Sequence, residues 1–386
     1  MRRLFITLTI ILAVLTTLAP AAGAGEKVNE ITLKAAKTQL KYGQWVRLSG
    51  RIKPATDGQL VTIVDRNDGV VAEATTDDEG RYTTLIRPRK NLKLRAQWLA
   101  VRSEAMPIRV AFRLNVSLRD VDLFGKSLVK GSLEPAQPGR SILVRLYRNG
   151  NLATKKQVGL RNGHSFKTRF EIRKPGSYRA KVAYDTPELK ASNDASVARA
   201  TKLPSLSLGS KGAAVKRLEK RLRQLGYYIP SANKSYDVPT RDAVIAFNKI
   251  QRTARVGHVT EATWRALASP KRPKPRVGSP ANHIEIDQTR QVVMFVRSGK
   301  VKWILHTSTG RNGYTHDGVY NVHRKIAGYS PGRLYYPSYF DGLRAIHGWP
   351  SVPTYPASHG CARIPMWSAQ WAHKMAPMGM QVRVYH

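Results

Sequence analysis

The sequence predicts a multidomain, mainly β chain: two tandem β-sandwich modules, a small three-helix bundle and a C-terminal domain that is mostly β. Three observations carry this prediction. Residues 27–200 read as short strands separated by turns, and their punctuation recurs: Gly50 and Pro54 return 81 positions on as Gly131 and Pro135. Residues 206–268 switch to apolar residues at helical spacing. Residues 282–386 return to alternating strands after a Pro-rich, basic stretch.

The first element is an export signal. Met1-Arg2-Arg3 is a short positive head, Leu4 to Leu18 is an apolar run, and Ala22-Gly23-Ala24 fits a small-x-small cleavage site. Residues 1–24 read as a signal peptide, cleaved after Ala24 or retained as a signal anchor. The rest of the chain is then expected outside the cytosol, secreted to the cell wall. The apolar run is short for a span of roughly 20 residues, which favours cleavage. A formal charge of +40 calls for an anionic environment. For a cytosolic chain that would be nucleic acid. For an exported one the expected partners are anionic cell-wall polymers, peptidoglycan stem carboxylates or lipid head groups, and no nucleic acid.

The first β-sandwich module is expected over residues 27–110 and the second over 111–200. Val46-Arg47-Leu48-Ser49-Gly50 and Leu60-Val61-Thr62-Ile63-Val64 have strand composition, and Asn67-Asp68-Gly69 is a hairpin signal. Asp68-Gly69 recurs as Asn149-Gly150, and Glu79-Gly80-Arg81-Tyr82 resembles Gly163-His164-Ser165-Phe166 at a slightly larger offset. No cluster of ionisable groups here reads as catalytic, so these modules read as spacers or binding surfaces.

Within 206–268, Gly212 to Leu222 carries apolar residues at helical spacing and Gly226 ends that helix. Thr240 to Ile250 repeats the pattern with Ala243, Val244 and Phe247 on one face; Thr260 to Leu267 is a third helix with Thr260 as N-cap. Leu208-Gly209-Ser210-Lys211-Gly212, Val215, Leu218, Leu222, Leu225-Gly226-Tyr227, Phe247 and Thr263-Trp264 together resemble the peptidoglycan-binding domain of the three-helix type. Glu219 and Asn248 stand where that family usually has glutamines. Residues 269–281 follow as an extended Pro-rich basic linker.

The domain over 282–386 opens with three strands, His283–Asp287, Gln291–Val296 and Val301–Leu305, with a turn at Ser298-Gly299; a late helix is expected near Trp367–Met375. Its chemistry centres on Cys361, the only cysteine of the chain. A lone thiol in an exported protein has no internal disulfide partner, and reads more readily as a reactive group than as a staple. His347-Gly348 lies upstream, joined to it by a segment rich in Pro and small residues that can loop back. The imidazole can then serve the sulfur as a base. Gly360 allows a sharp turn before the sulfur, and the N–H groups of Gly360 and Cys361 are candidates to face an oxyanion. Arg363 can hold a substrate carboxylate. A zinc site built from His347, His359, Cys361 and His316 or His323 matches no standard ligand spacing, and no metal or cofactor is expected.

The run His347-Gly348, loop, Ser358-His359-Gly360-Cys361-Ala362-Arg363 resembles the signature of the L,D-transpeptidase catalytic domain, the YkuD-like family. Ser308-Thr309-Gly310 and Gly318-Val319-Tyr320-Asn321-Val322 resemble two further family segments, while Thr315-His316-Asp317-Gly318 replaces a more usual Thr-Pro-x-Gly. The resemblance implies a cysteine-dependent acyl transfer on peptidoglycan tetrapeptide stems. Cys361 would be the nucleophile and His347 the acid and base. Gly348 would orient the imidazole through its carbonyl, and Gly360 would belong to the oxyanion site. Arg363, His359 and Ser358 would contact substrate, with His359 chiefly shaping the loop. The expected product is a 3→3 cross-link, in cell-wall biogenesis, and carbapenems are an implied ligand class. An L,D-carboxypeptidase using the same residues with water as acceptor is the alternative, and a catalytically silent wall-binding protein a third reading.

Overall fold

The computed structural model describes residues 29–184, 186–189 and 195–386, so the expected signal peptide lies outside the described residues. Among them no helix is long and apolar enough to cross a membrane. They divide into two compact units, 29–112 with 186–189, and 113–184 with 195–386.

The first unit holds two sheets. One joins Glu30–Ile31, Lys34–Ala35, Val46–Lys53 and Arg81–Ile86; the other is built around Leu60–Val64, Val70–Thr75, Leu92–Trp98 and Met106–Ala111. Every second side chain goes inward, as strand geometry requires: Leu48 and Ile52, Val61 and Ile63, Leu94 and Ala96, Ile108 and Val110 are fully buried. The second unit begins with a sheet of Arg113–Arg119, Lys126–Glu134 and Ser165–Glu171, and another of Asn151–Gly159, Ser141–Arg148, Ser177–Ala183 and Ala195–Ala200. The repeat now has a physical cause. Gly50 pairs opposite Tyr82, and Gly131 pairs opposite Phe166. A Cβ at either glycine would run into that aromatic side chain and into a neighbouring backbone carbonyl, from Thr32 or Asn115. Each of the two glycines therefore sits under one ring.

The helical region contains α1 (Ala213–Gln224), α2 (Val238–Gln251) and α3 (Glu261–Ala268). Asp237 caps α2 by accepting from Thr240 N, and Thr260 caps α3 in a reciprocal box with Thr263. Glu219, in α1, is fully buried and accepts from Lys234 N and Thr240 Oγ1, which ties α1 to the loop before α2 and to the first turn of α2. Nearly every residue of α2 is buried, polar ones included, because the helix is covered on both sides. The stretch after α3 is not a freely solvated linker: Gln251 makes a paired amide contact with the Lys271 backbone, and Arg276 N donates to Glu285.

The C-terminal region has nine strands: β1 (His283–Asp287), β2 (Val292–Arg297), β3 (Lys300–His306), β4 (Gly318–Asn321), β5 (Arg324–Lys325), β6 (Tyr335–Asp341), β7 (Arg344–Trp349), β8 (Ala362–Pro365) and β9 (Gln381–Tyr385). They form a five-stranded sheet in the order β3-β2-β1-β9-β4 and a four-stranded sheet β5-β6-β7-β8. Helix α4 (Met366–Met375) follows β8. The core between these sheets and α4 includes Ile284, Val293, Phe295, Phe340, Ile346, Ile364 and Ala369. The intervening positions of β2, Val292 and Met294, join Ile304 in a second core with Leu222, Tyr227, Phe247 and Ile250 of the helical region. This explains why β2 reads as a nearly unbroken apolar run: both of its faces are covered.

Candidate active site

The site is built where β7 and β8 lie side by side. The two strands run parallel, with Ile346 opposite Ala362 and His347 opposite Arg363. Cys361 is the residue just before β8, so this register brings the thiol alongside the strand that carries His347. The thiol lies against the start of β7: Sγ is 3.9 Å from the Leu343 carbonyl oxygen. Among the described residues no hydrogen bond joins it to His347.

His347 is only 2 % exposed. Its Nδ1 donates to the carbonyl of Gly348 at 2.9 Å, a tautomer assigned from this contact. That leaves Nε2 without a proton in the neutral ring, as a base requires. The ring stands edge-on to Trp349, at 5.6 Å between centroids. Burial pushes the imidazole down to about 4, against the Gly348 hydrogen bond, with Arg363 adding repulsion. Burial pushes the Cys361 thiol up, opposed by a hydrogen bond from the Ala345 backbone and by the charges of Arg363 and Arg344. The resting pair is therefore neutral thiol and neutral imidazole.

Gly348 is forced by packing. A Cβ there would come within 2.7 Å of the Ala369 methyl and 3.0 Å of the Tyr335 ring, so α4 and β6 can close over β7 only with a glycine. Gly360 has φ +129, and a Cβ on it would meet Arg344 Nε and the Tyr314 carbonyl, each at 2.9 Å. Its N–H donates to Ser358 Oγ at 3.0 Å, so that group is spent inside the turn in this state.

The remaining expected residues take distinct places. Ser358 is 1 % exposed, and its hydroxyl donates to the Cys361 carbonyl at 2.6 Å; it holds the turn rather than reaching into solvent. His359 is exposed, and its Nε2 lies 3.2 Å from Arg311 Nη2. The Arg363 guanidinium lies over the Trp349 ring at 5.2 Å. Arg344 went unnoticed in the sequence, where nothing sets it apart from many other arginines. It bridges the site, donating from Nε to the Tyr314 carbonyl and from Nη1 to Asp341, with Nη2 3.2 Å from His316 Nε2. Chemically, the arrangement offers a half-buried thiol, a buried base with a fixed tautomer, and two cations beside them.

Residues 281–384 match the family described as the L,D-transpeptidase catalytic domain, and residues 211–267 match a putative peptidoglycan binding domain. Among solved structures the chain is similar to an L,D-transpeptidase from Xylanimonas cellulosilytica DSM 15894, with 35% identity, 48% of this chain and 99% of that one covered, and a TM-score of 0.45. It is also similar to a cysteine-to-serine mutant of the Enterococcus faecium L,D-transpeptidase (23% identity, 27% of this chain and 50% of that one, TM-score 0.25). A third is L,D-transpeptidase 3 from Mycobacterium tuberculosis (10% identity, 70% of this chain and 99% of that one, TM-score 0.25). Comparison with curated proteins finds no match. The chain therefore carries an L,D-transpeptidase catalytic domain over residues 281–384, preceded by a putative peptidoglycan binding domain over 211–267.

Proposed function

We propose that this is an exported peptidoglycan L,D-transpeptidase that forms 3→3 cross-links through a cysteine acyl-enzyme. The observation that carries the reading is the parallel register of β7 and β8, which sets Cys361 beside the strand of a buried His347 held by the Gly348 carbonyl.

In the first step the Cys361 sulfur attacks the carbonyl of the third residue, a diamino acid, of a tetrapeptide stem, as His347 Nε2 takes the thiol proton. The oxyanion is met by the Cys361 N–H and by the potential of Arg344 and Arg363. The bond to the terminal D-alanine breaks, and the imidazolium returns its proton to the leaving amine. In the second step the side-chain amine of another stem attacks the thioester and gives a proton to His347. The C–S bond breaks, an amide forms, and the sulfur leaves as a thiol. Arg363 holds a substrate carboxylate, and His359 shapes the turn.

The β modules, read as tandem sandwiches, and the helical domain serve as spacer and wall anchor. Anionic wall polymers fit a groove of about 990 Å³ in the second module, lined by Lys126, Lys156, Lys167, Arg169 and Lys174.

Incubation with purified tetrapeptide muropeptides, read by mass spectrometry, tests the reaction. A dimer that has lost one D-alanine is expected. Release of D-alanine without a dimer would replace the reading with the carboxypeptidase. No product, with wall binding intact, would replace it with a silent wall-binding protein. A carbapenem should add its mass to the wild type and not to Cys361→Ala.

A further inference from the structure

A lysine from the helical domain is buried inside the catalytic domain. Lys249, near the end of α2, is 2 % exposed, and its ammonium lies among groups of the C-terminal region. Nζ donates to the Gln291 carbonyl at 2.8 Å and to the Thr307 carbonyl at 2.9 Å, and lies 2.6 Å from His306 Nδ1. The far nitrogen of that ring, Nε2, lies 2.8 Å from the Val352 carbonyl. Val352 belongs to the loop between His347 and Cys361.

Counting protons decides the state of this chain of contacts. The three carbonyls can only accept, so each needs a hydrogen from the lysine or the ring, and the short Nζ–Nδ1 contact needs one more. A neutral amine brings two N–H groups and a neutral imidazole one, which leaves one contact of the four without a hydrogen. One excess proton completes the set. With an ammonium on Lys249 and the proton of neutral His306 on Nε2, every polar atom is satisfied and Val352 is held by a donor.

We propose that Lys249 is a positioning residue of the active site: it and His306 hold one shared excess proton, whose four hydrogen bonds fix the loop that carries Cys361. Two other routes leave the same ammonium. The side-chain amide of Gln291 pairs with Thr309, accepting from its N–H at 2.8 Å and donating to its hydroxyl at 2.6 Å, and the Thr309 carbonyl receives the N–H groups of Ala357 and Ser358. The Thr307 hydroxyl donates to the Arg363 carbonyl at 2.7 Å. The loop is thus held near its start, at the turn before the thiol, and just past the thiol. Arg255 adds a separate brace from the helical side, donating to the Thr354 carbonyl at 2.7 Å and the Thr289 carbonyl at 2.8 Å. Burial works against the ammonium, pushing Lys249 well below the usual lysine range, and Arg255 adds repulsion; Asp242, itself engaged by Arg241 and by Trp367 Nε1 at 2.8 Å, and the carbonyl and imidazole acceptors oppose this. On this view the helical domain completes the catalytic domain as well as anchoring it.

The inference rests on Cys361 being the nucleophile, so its test begins with wild type and Cys361→Ala treated with a carbapenem; an adduct in both would sink the nucleophile and leave the brace undecided only until the thermal melts below are read. In full-length protein, Lys249→Met is expected to slow acylation about tenfold or more by letting the turn drift. With stem substrate the loss should fall on kcat, with KM within about twofold. His306→Leu should do the same, and the double variant should be no worse than either single one. His306→Gln, whose amide offers both an acceptor to Lys249 and a donor to Val352, should recover most of the rate. Thermal melts under the same conditions report whether each variant folds, and both His306 variants should melt below wild type with Gln above Leu. If Lys249→Met does not fold, the contrast between His306→Gln and His306→Leu decides. Wild-type acylation by a folded Lys249→Met, multiplying losses in the double variant, or equal rates and melts for His306→Gln and His306→Leu would overturn the proposal.

Discussion

His347 Nδ1 donates to the carbonyl oxygen of Gly348, its own neighbour in the chain, at 2.9 Å. A backbone carbonyl fixes the tautomer without adding a full negative charge, so nothing holds a proton on Nε2. Burial moves the imidazole down to about 4 and the Cys361 thiol up. The thiolate is therefore made during attack rather than stored beforehand. Alkylation of Cys361 by iodoacetamide should rise with pH through the alkaline range, with no plateau at neutral pH. Carbapenem acylation should keep its base down to about pH 4. A neutral-pH alkylation plateau would mean a preformed ion pair instead.

Arg344 supplies part of the opposing charge at the thiol. Arg344→Gln removes the charge and two of its anchors, and the thiol should become harder to ionise. At a fixed alkaline pH, alkylation of Cys361 should be several-fold slower than in wild type. An unchanged rate would confine Arg344 to holding the Tyr314 and Asp341 segments.

Gly348→Ala tests the packing under the base. The added methyl would stand 2.7 Å from the Ala369 Cβ, a contact that α4 can relieve only by shifting. A loss of about 1–3 kcal/mol is expected in urea unfolding. Acylation should fall further than stability alone explains, because the same carbonyl orients His347. Full activity with full stability would show that α4 can move freely.

How far the site could be read from sequence depends on which contacts are local. Cys361, His347 and the glycine turn lie within one short stretch, and the chemistry of each residue type limits its role. The recurrence of Gly50 and Gly131 is legible because each glycine lies opposite an aromatic residue of the next strand. Lys249 is not. At helical spacing a lysine reads as a solvated face, and only the docking of α2 on β3 turns it inward. Arg344 was missed for a similar reason, since its neighbours Tyr314 and Gly360 come from distant segments. From sequence alone, Ser358 reads as a substrate contact because it stands beside the thiol. Its hydroxyl instead closes the turn, a use set by backbone geometry that residue type does not announce.

Ser358→Ala follows from that use. It removes the donor to the Cys361 carbonyl and the acceptor for Gly360 N–H, both within a buried turn. A stability loss of about 1–3 kcal/mol is expected for the unsatisfied groups. On stem substrate kcat should fall while KM stays near wild type, because the hydroxyl does not face the cleft. A large rise in KM with kcat unchanged would restore the role of substrate contact.

Acid stability follows from two buried imidazoles. His347 is moved down to about 4 and His306 to about 3, both chiefly by burial, with the Lys249 charge adding to the shift of His306. In the unfolded chain both would titrate near 6.5. Below that pH the unfolded chain binds protons that the folded one refuses, so stability is complete above about 6.5 and falls as the pH drops. The contribution of His347 should be exhausted near pH 4 and that of His306 near pH 3. Each shift corresponds to at most about 3–5 kcal/mol. Urea midpoints measured from pH 7.5 to pH 4 should therefore decline, and His347→Gln, which has no proton to take up, should decline less steeply. Equal slopes for the two proteins would mean that His347 gains a proton in the folded state, and its place as a neutral base would fall with it.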